Sequence, residues 1–433
     1  MLLILLIWMA LLEEAVKINM GREEKTNLIT DDAEEADQKE EVQNVAVLAE
    51  ETCTDIADSA DSLIRVLLMD TGYQSYYHQK VSVICGSEEV TYTTASPELS
   101  GGMLIFPEQQ NGITITSIER QQGNPAYRGC LEVRNTDQGL LLINELPLET
   151  YLESVVPSEM PSSYEMEALK AQAVCARTYA YYQIEKGTLK KYNADVDDSV
   201  RFQVYGNTAP CDSTTNAVRE TRGQVLCQNG ELIQAYYFST SAGVTSTDEI
   251  WGAAQAASYL NSVPCEFDQE QPWSLWTVSI PWRTLEDRCT DYIKDTYNDE
   301  ETTESVRCAL KTVEITRKNQ SGAVTGLHVA ADTGSFDLTE EYSVREFLSP
   351  SGCTITEKDG TVVQGGTLLP SAYFTMKASP GESILIYGKG YGHGVGMSQT
   401  AASEMAEQGY DYKEILDYFF RNVEILSKNS TDN

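Results

Sequence analysis

The stretch that most constrains this chain is residues 162–187, which opens Ser162-Ser163-Tyr164-Glu165 and ends at Gly187. A hydroxyl residue followed three places later by glutamate reads as a capping box, and the glycine as a stop. A long helix is therefore predicted to about Lys186. Ala168, Ala171, Ala173, Ala176 and Ala180 fall on several of its faces. Small residues all round let neighbouring backbones approach, so this helix is expected at the centre of the fold.

A shorter helix is predicted just before it. Thr150-Tyr151-Leu152-Glu153 repeats the capping pattern, with Leu148 placed as a hydrophobic staple. Pro157 disfavours a helical Val156, so the shorter helix is predicted to end there. The connection is Pro157-Ser158-Glu159-Met160-Pro161. Two prolines restrict the backbone on either side of one carboxylate. A carboxylate fixed in a bend between helices suits general acid catalysis, which fails when orientation wanders. Met160 and the prolines are apolar neighbours of the kind that favour a protonated carboxyl group. Spacing alone equally allows Glu159 to be a helix cap or a solvated side chain.

Short β-branched runs, such as residues 63–68 and 81–84, predict a small sheet reaching about Leu146. Residues 232–238 read as a strand, and a second β-rich stretch over 276–358 contains the turn Asn319-Gln320-Ser321-Gly322. The predicted class is α+β: a helix-and-sheet catalytic core, with β-rich flanking modules forming a groove. The expected divisions are an apolar start (1–12), an acidic tether (13–61), a β-rich part (62–146), a core with Glu159 (147–270), a second β-rich part (271–385), and a glycine-rich loop with a terminal helix (386–425).

With 433 residues and a formal net charge of -35, the chain repels polyphosphate, so nucleic acid is not an expected partner. Residues 1–12 are apolar but shorter than the ~20 residues of a bilayer span. They read as an export signal or membrane anchor. Residues 13–61 carry too few large apolar side chains to offset ordering entropy. Ten cysteines occur without any Cys-x-x-Cys, which excludes a zinc ribbon, and only His78, His328 and His393 are present. No metal and no cofactor is expected.

The run from Gly388 to Gln399 has alternating glycines, which fit neither a dinucleotide fingerprint nor a P-loop. They let a backbone lie against a ligand or another strand. Lys389, Tyr391, His393, Ser398 and Gln399 are its polar tips. Ser241 invites pairing with His393 as a hydrolase. However, Ser239 stands where a nucleophile elbow needs its first glycine.

Together these segments resemble the sporulation stage II protein D family, which also includes amidase-enhancer proteins. The matching stretches are residues 145–161, 167–180, Gln203-Val204-Tyr205, 237–243, Trp251-Gly252 and 390–399, in consistent order across about 63–423. The resemblance implies a peptidoglycan lytic transglycosylase of sporulation, at the extracytoplasmic face of the membrane or secreted to the envelope. Its catalytic glutamate falls on Glu159. Lys170 and Arg177 match the motif's basic positions, to bind substrate or orient the acid. Tyr205, Ser241 and the His393 loop become candidates for glycan binding. A cell-wall amidase or endopeptidase and membrane proteins are the candidate partners. The alternative is a non-catalytic, glycan-binding enhancer of an amidase. Some relatives hold zinc on a Cys/His cluster just before Gln-x-Tyr. Here Asp197, Arg201 and Phe202 stand at those places, and neither Arg nor Phe ligates metal.

Overall fold

The computed structural model describes residues 62–428, apart from 86–87, 121, 207 and 298–306. The apolar start and the acidic segment predicted over 1–61 lie outside the described residues. The described residues divide into two units, one holding residues 62–234 with 425–428, the other residues 235–424. Helices and sheets mix in both, as the α+β reading expects.

In the first unit, a five-stranded sheet runs Met103–Phe106, Cys130–Thr136, Gly139–Pro147, Leu63–Leu68, Val196–Asp197. Neighbours are antiparallel except the last pair, where Val66 sits beside Val196 in parallel. The period-2 alternation of a strand assigns its side chains to opposite faces. Ile64, Val66, Leu68, Leu140 and Leu142 enter one core cluster, whereas Leu67, Leu141 and Ile143 enter another. The first cluster also takes Tyr151, Leu152 and Val155 from helix α1 (Leu148–Glu159) and Ala173, Ala176 and Ala180 from α2 (Met166–Lys186). The β-rich part and the helices thus share one core.

Helix α2 is buried almost all round, from Ala168 to Gln183, with only Lys170 and Tyr182 half-buried in that span. It packs against α1, α3 (Asp212–Glu220) and the strand Gln224–Gln228. Gly187 caps it with φ 63°, its amide bonded to the Gln183 carbonyl at 3.0 Å. This is the predicted glycine stop.

The helix starts differ from the capping-box expectation. Helix α1 begins at Leu148 with Pro147 at its cap, because the strand Gly139–Pro147 feeds straight into it. The Leu148 amide is satisfied by the Ser62 carbonyl at 2.9 Å. Glu153 pairs with Arg128 at 2.7 Å instead of capping. Before α2, residues 161–164 form a turn, and the helix opens at Met166 with no side-chain cap bond from Glu165.

The end of α1 is a further correction. Pro157 lies inside the helix, and the helix runs on to Glu159. The stop comes at Met160, which is extended at φ -133° and ψ 137°. Pro161 follows Met160 and disfavours a helical conformation there, so the second proline ends the helix.

In the second unit, a five-stranded antiparallel sheet is ordered Val362–Gln364, Thr354–Glu357, Trp276–Pro281, Ser383–Gly388, Phe374–Ser379. A three-stranded sheet contains Leu310–Lys318, Val324–Ala331 and Ser335–Leu338, the first two strands being linked by the predicted Asn319–Gly322 turn. Helices α4 (Trp282–Tyr297), α5 (Glu341–Phe347), α6 (Gln399–Glu407) and α7 (Tyr412–Phe419) complete it. The single strand predicted over 232–238 is instead two short ones, Glu231–Leu232 and Tyr237–Phe238, because the chain passes between units at residues 234–235.

Candidate functional site

In the first unit the site is built around the end of α1. Glu159 is the last helical residue and is half-buried. Its Oε1 accepts the backbone N–H of Val204 at 2.7 Å. Below, Ser158 Oγ donates to the Ser154 carbonyl at 2.6 Å, reinforcing the turn that carries the carboxylate. Met160 beside it is buried.

The Gln203-Val204-Tyr205 motif explains why Val204 is held there. Its alternation sends both polar side chains inward. Gln203 Nε2 donates to the Ala176 carbonyl of α2 at 3.1 Å, and Tyr151 Oη donates to Gln203 Oε1 at 3.4 Å. Tyr205 Oη donates to Asn144 Oδ1 at 3.0 Å, and its ring lies 4.9 Å from that of Tyr151. Buried polar groups with their partners in place hold one geometry. The main-chain amide between them is thereby fixed where Glu159 meets it.

Arg177 is wholly buried. Its Nε and Nη2 bond Glu149 Oε1 and Oε2 at 2.6 and 2.8 Å, and Nη2 also donates to the Val218 carbonyl at 3.1 Å. The fork ties α1, α2 and α3 together, so the substrate contact expected of Arg177 is corrected to a structural role. Lys170 is half-buried, with Nζ at 2.8 Å from Glu167 and 2.7 Å from Glu220. These bonds raise its pKa, Glu167 contributing most. Tyr205, at 1% exposure, is likewise an interior residue.

At the positions where some relatives carry zinc ligands, Asp197 is buried and accepts from Ser199 Oγ at 2.6 Å and Tyr76 Oη at 2.7 Å. Burial outweighs these bonds and lifts its pKa to about 6. The Arg201 guanidinium lies 6.0 Å from the Tyr76 ring. Among the described residues, no group of three or more His, Cys, Asp or Glu side chains converges as a metal site would require.

In the second unit the glycine run threads between other segments. Tyr391 and Thr240 exchange backbone hydrogen bonds at 2.7 and 3.0 Å, and Met397 donates to the Tyr236 carbonyl at 3.0 Å. A Cβ on Gly390 would stand 2.8 Å from the Thr240 oxygen, and one on Gly396 only 2.1 Å from the Tyr236 oxygen. The glycines therefore admit neighbouring backbone, one of the two readings their alternation allows.

This threading converges on Asp268, which no sequence motif marked. Asp268 is fully buried and accepts from Ser241 N at 2.6 Å, Ser241 Oγ at 2.7 Å and Ser398 Oγ at 2.7 Å. Ser241 and Ser398 are committed to this carboxylate, which corrects their assignment to substrate contact. Tyr391 is also buried, its ring 4.6 Å from that of Trp273, and Gln399 is buried at the start of α6.

His393 is half-buried against Trp251 and Phe238, with ring centroids at 5.1 and 5.7 Å. Its Nδ1 accepts the Val395 amide at 3.1 Å. Burial, with Arg345 repelling a second positive charge, pushes its pKa down to about 3, so the ring is neutral. Lys389 is the exposed side chain of the run.

A rigid turn presenting one carboxylate beside a Gln-x-Tyr segment, with a separate glycine-threaded unit, is the class of protein these features define. The stage II sporulation protein family model matches residues 136–227, the segment that holds α1, Glu159, α2 and Val204. Stage II sporulation protein D of Bacillus amyloliquefaciens is 31% identical over 302 residues, covering 66% of this chain and 76% of that one. Its Bacillus subtilis counterpart is 28% identical over 354 residues, covering 75% and 90%. The amidase enhancer of Bacillus subtilis is 31% identical over 297 residues, covering 64% of this chain but 40% of the enhancer. The chain belongs to the stage II sporulation protein D family.

Proposed function

We propose that this protein is a peptidoglycan lytic transglycosylase of sporulation-linked wall remodelling, working on glycan strands outside the cytoplasm with Glu159 as its single acid and base. The observation that carries this reading is the half-buried Glu159 carboxylate, held at the end of α1 by the Val204 amide.

Ordinary glycosidases divide acid and base between two carboxylates. Here one group serves in turn. Glu159 protonates the glycosidic oxygen between N-acetylmuramic acid and N-acetylglucosamine, and that bond breaks. The sugar left with oxocarbenium character is closed by its own C6 hydroxyl, whose proton returns to Glu159. The product is a 1,6-anhydro end, and no water is consumed. Lys389 has the solvent access that sugar contact requires, and His393 lies half-buried in the same run. Tyr205 is an interior residue of the first unit, and Ser241 and Ser398 are interior residues of the second.

The likeness to an amidase enhancer supports a second reading, in which the protein binds glycan and stimulates a cell-wall amidase without cutting the strand itself. Mass spectrometry of glycan strands incubated with the pure protein separates the two. Anhydro-muramic ends support the transglycosylase. Intact strands, together with faster amidase turnover when both proteins are present, support the enhancer.

Among the described residues no helix is long and apolar enough to cross a membrane. Anchorage by residues 1–12 is part of the proposal. It is tested by fractionating cells that make the full-length chain.

A further inference from the structure

In the second unit two cysteines face each other in the core, away from every residue used above. Cys289 sits on α4, and Cys308 lies just ahead of the strand Leu310–Lys318. Both are free thiols, at 0% and 4% exposure, and both belong to one hydrophobic cluster. The Cys308 thiol lies near enough to the Cys289 thiol to raise its pKa. Flanking contacts fix the pair in register. Thr290 Oγ1 accepts the Cys308 amide at 2.9 Å, Arg307 pairs with Asp287, and Thr333 Oγ1 donates to Cys308 Sγ at 3.0 Å. Adjacent residues of the helix thus meet adjacent residues of the segment, with sulfur opposite sulfur.

We propose that Cys289 and Cys308 form a disulfide that locks α4 to the three-stranded sheet. Two S–H bonds are lost and one S–S bond forms. The two protons and two electrons pass to a disulfide oxidant, either a small-molecule disulfide or a disulfide-exchange protein, which is reduced to two thiols. Such a cross-link removes loop-closure freedom from the unfolded chain, so the oxidised form is the more stable one. Only the availability of the oxidant rests on the extracytoplasmic reading above, since disulfides persist in oxidising compartments.

Burial, followed by the neighbouring Cys308, pushes the Cys289 thiol up to about 12. Exchange requires the thiolate and access to it. The bond therefore forms as the chain folds, before the cluster closes over it. Once formed, it resists reduction until the protein unfolds.

The test refolds the reduced, denatured full chain in a buffer of oxidised and reduced glutathione, and also makes it by secretion through an oxidising compartment. Remaining thiols are alkylated and the digest is mapped without reduction. The expected result is a Cys289–Cys308 cross-linked peptide and loss of alkylation at those two positions, with Cys175 and Cys265 still alkylated after denaturation. The oxidised protein should melt higher than its reduced form, and a Cys289→Ser/Cys308→Ser double variant should show no such dependence. Recovery of both residues as alkylated thiols in folded protein from either route, or pairing of Cys289 with another partner, overturns the inference. Neither readout depends on cleavage of glycan.

Discussion

The Val204 amide and the Glu159 carboxylate, 45 positions apart in the chain, meet at 2.7 Å. That bond joins two of the motifs on which the family resemblance rests, the proline-flanked glutamate and Gln-x-Tyr. It gives the second a purpose that its side chains alone do not show. Gln203 and Tyr205 anchor the segment inward, so that a main-chain donor faces the carboxylate.

The buried Arg177 fork should be a stability determinant. Arg177→Met leaves Glu149 charged without its bidentate partner, and losing one member of a buried pair typically costs about 3–5 kcal/mol. Denaturant unfolding should show a loss of that order. Near-native stability with lost glycan binding would return Arg177 to the substrate-contact role.

Ser241→Ala should likewise act on the fold. It removes the hydroxyl bond to the buried Asp268, and hydrogen bonds to charged groups are worth roughly 1.5–3 kcal/mol. Unfolding of Ser241→Ala, Ser398→Ala and the double variant should reveal coupling through their shared acceptor. A serine hydrolase would instead lose all activity at unchanged stability.

His393 predicts an acid-side loss of stability. The unfolded imidazole takes a proton near its ordinary value of 6.5, whereas the folded one does so only near 3. Below pH 6.5 the unfolded chain therefore binds the extra proton, and stability falls as the pH drops from about 6.5 towards 3. Thermal melts across that range should fall more steeply for wild type than for His393→Gln. Parallel curves would show that the ring titrates freely in the folded protein.

The two prolines should be separable. Pro161 keeps Met160 extended and ends α1, while Pro157 lies within the helix. Under the proposed mechanism, Pro161→Ala lets the helix continue, swings Glu159 and lowers activity by up to about 100-fold, as expected of a small misplacement. Pro157→Ala restores a helix donor and should retain activity, with stability equal to or above wild type. The reverse ranking in a strand-cleavage assay would contradict this account of the turn.

How much of this the sequence disclosed follows from how local each signal is. The alanines of α2 and Gly187 act within a few residues, and the central helix and its αL stop were legible from them. The end of α1 was misread because Pro157 and Pro161 carry the same local preference. Packing of Tyr151, Leu152 and Val155 into the core holds the helix through the first of them. The capping boxes failed because Glu153 found Arg128, and because the preceding strand delivers Pro147 directly into the helix. Asp268 was not legible at all. One aspartate among 66 acidic residues carries no signal until the fold brings Ser241 and Ser398 to it. Arg177 carried no local sign of burial, because its burial depends on Glu149, 28 positions earlier.

The most direct measurement is the rate at which Glu159→Gln forms 1,6-anhydro ends on purified glycan strands, beside wild type and the exposed control Glu165→Gln. Glutamine keeps the size of the side chain and can still accept the Val204 amide, so the folded turn should survive, which circular dichroism and thermal melting will check. What is lost is the transferable proton. A general acid–base group contributes roughly 10²- to 10⁴-fold in rate, and a single residue serving both steps should fall at the upper end. The account predicts that loss for Glu159→Gln, with glycan binding retained and Glu165→Gln unchanged. Anhydro ends formed by Glu159→Gln at the wild-type rate would contradict it.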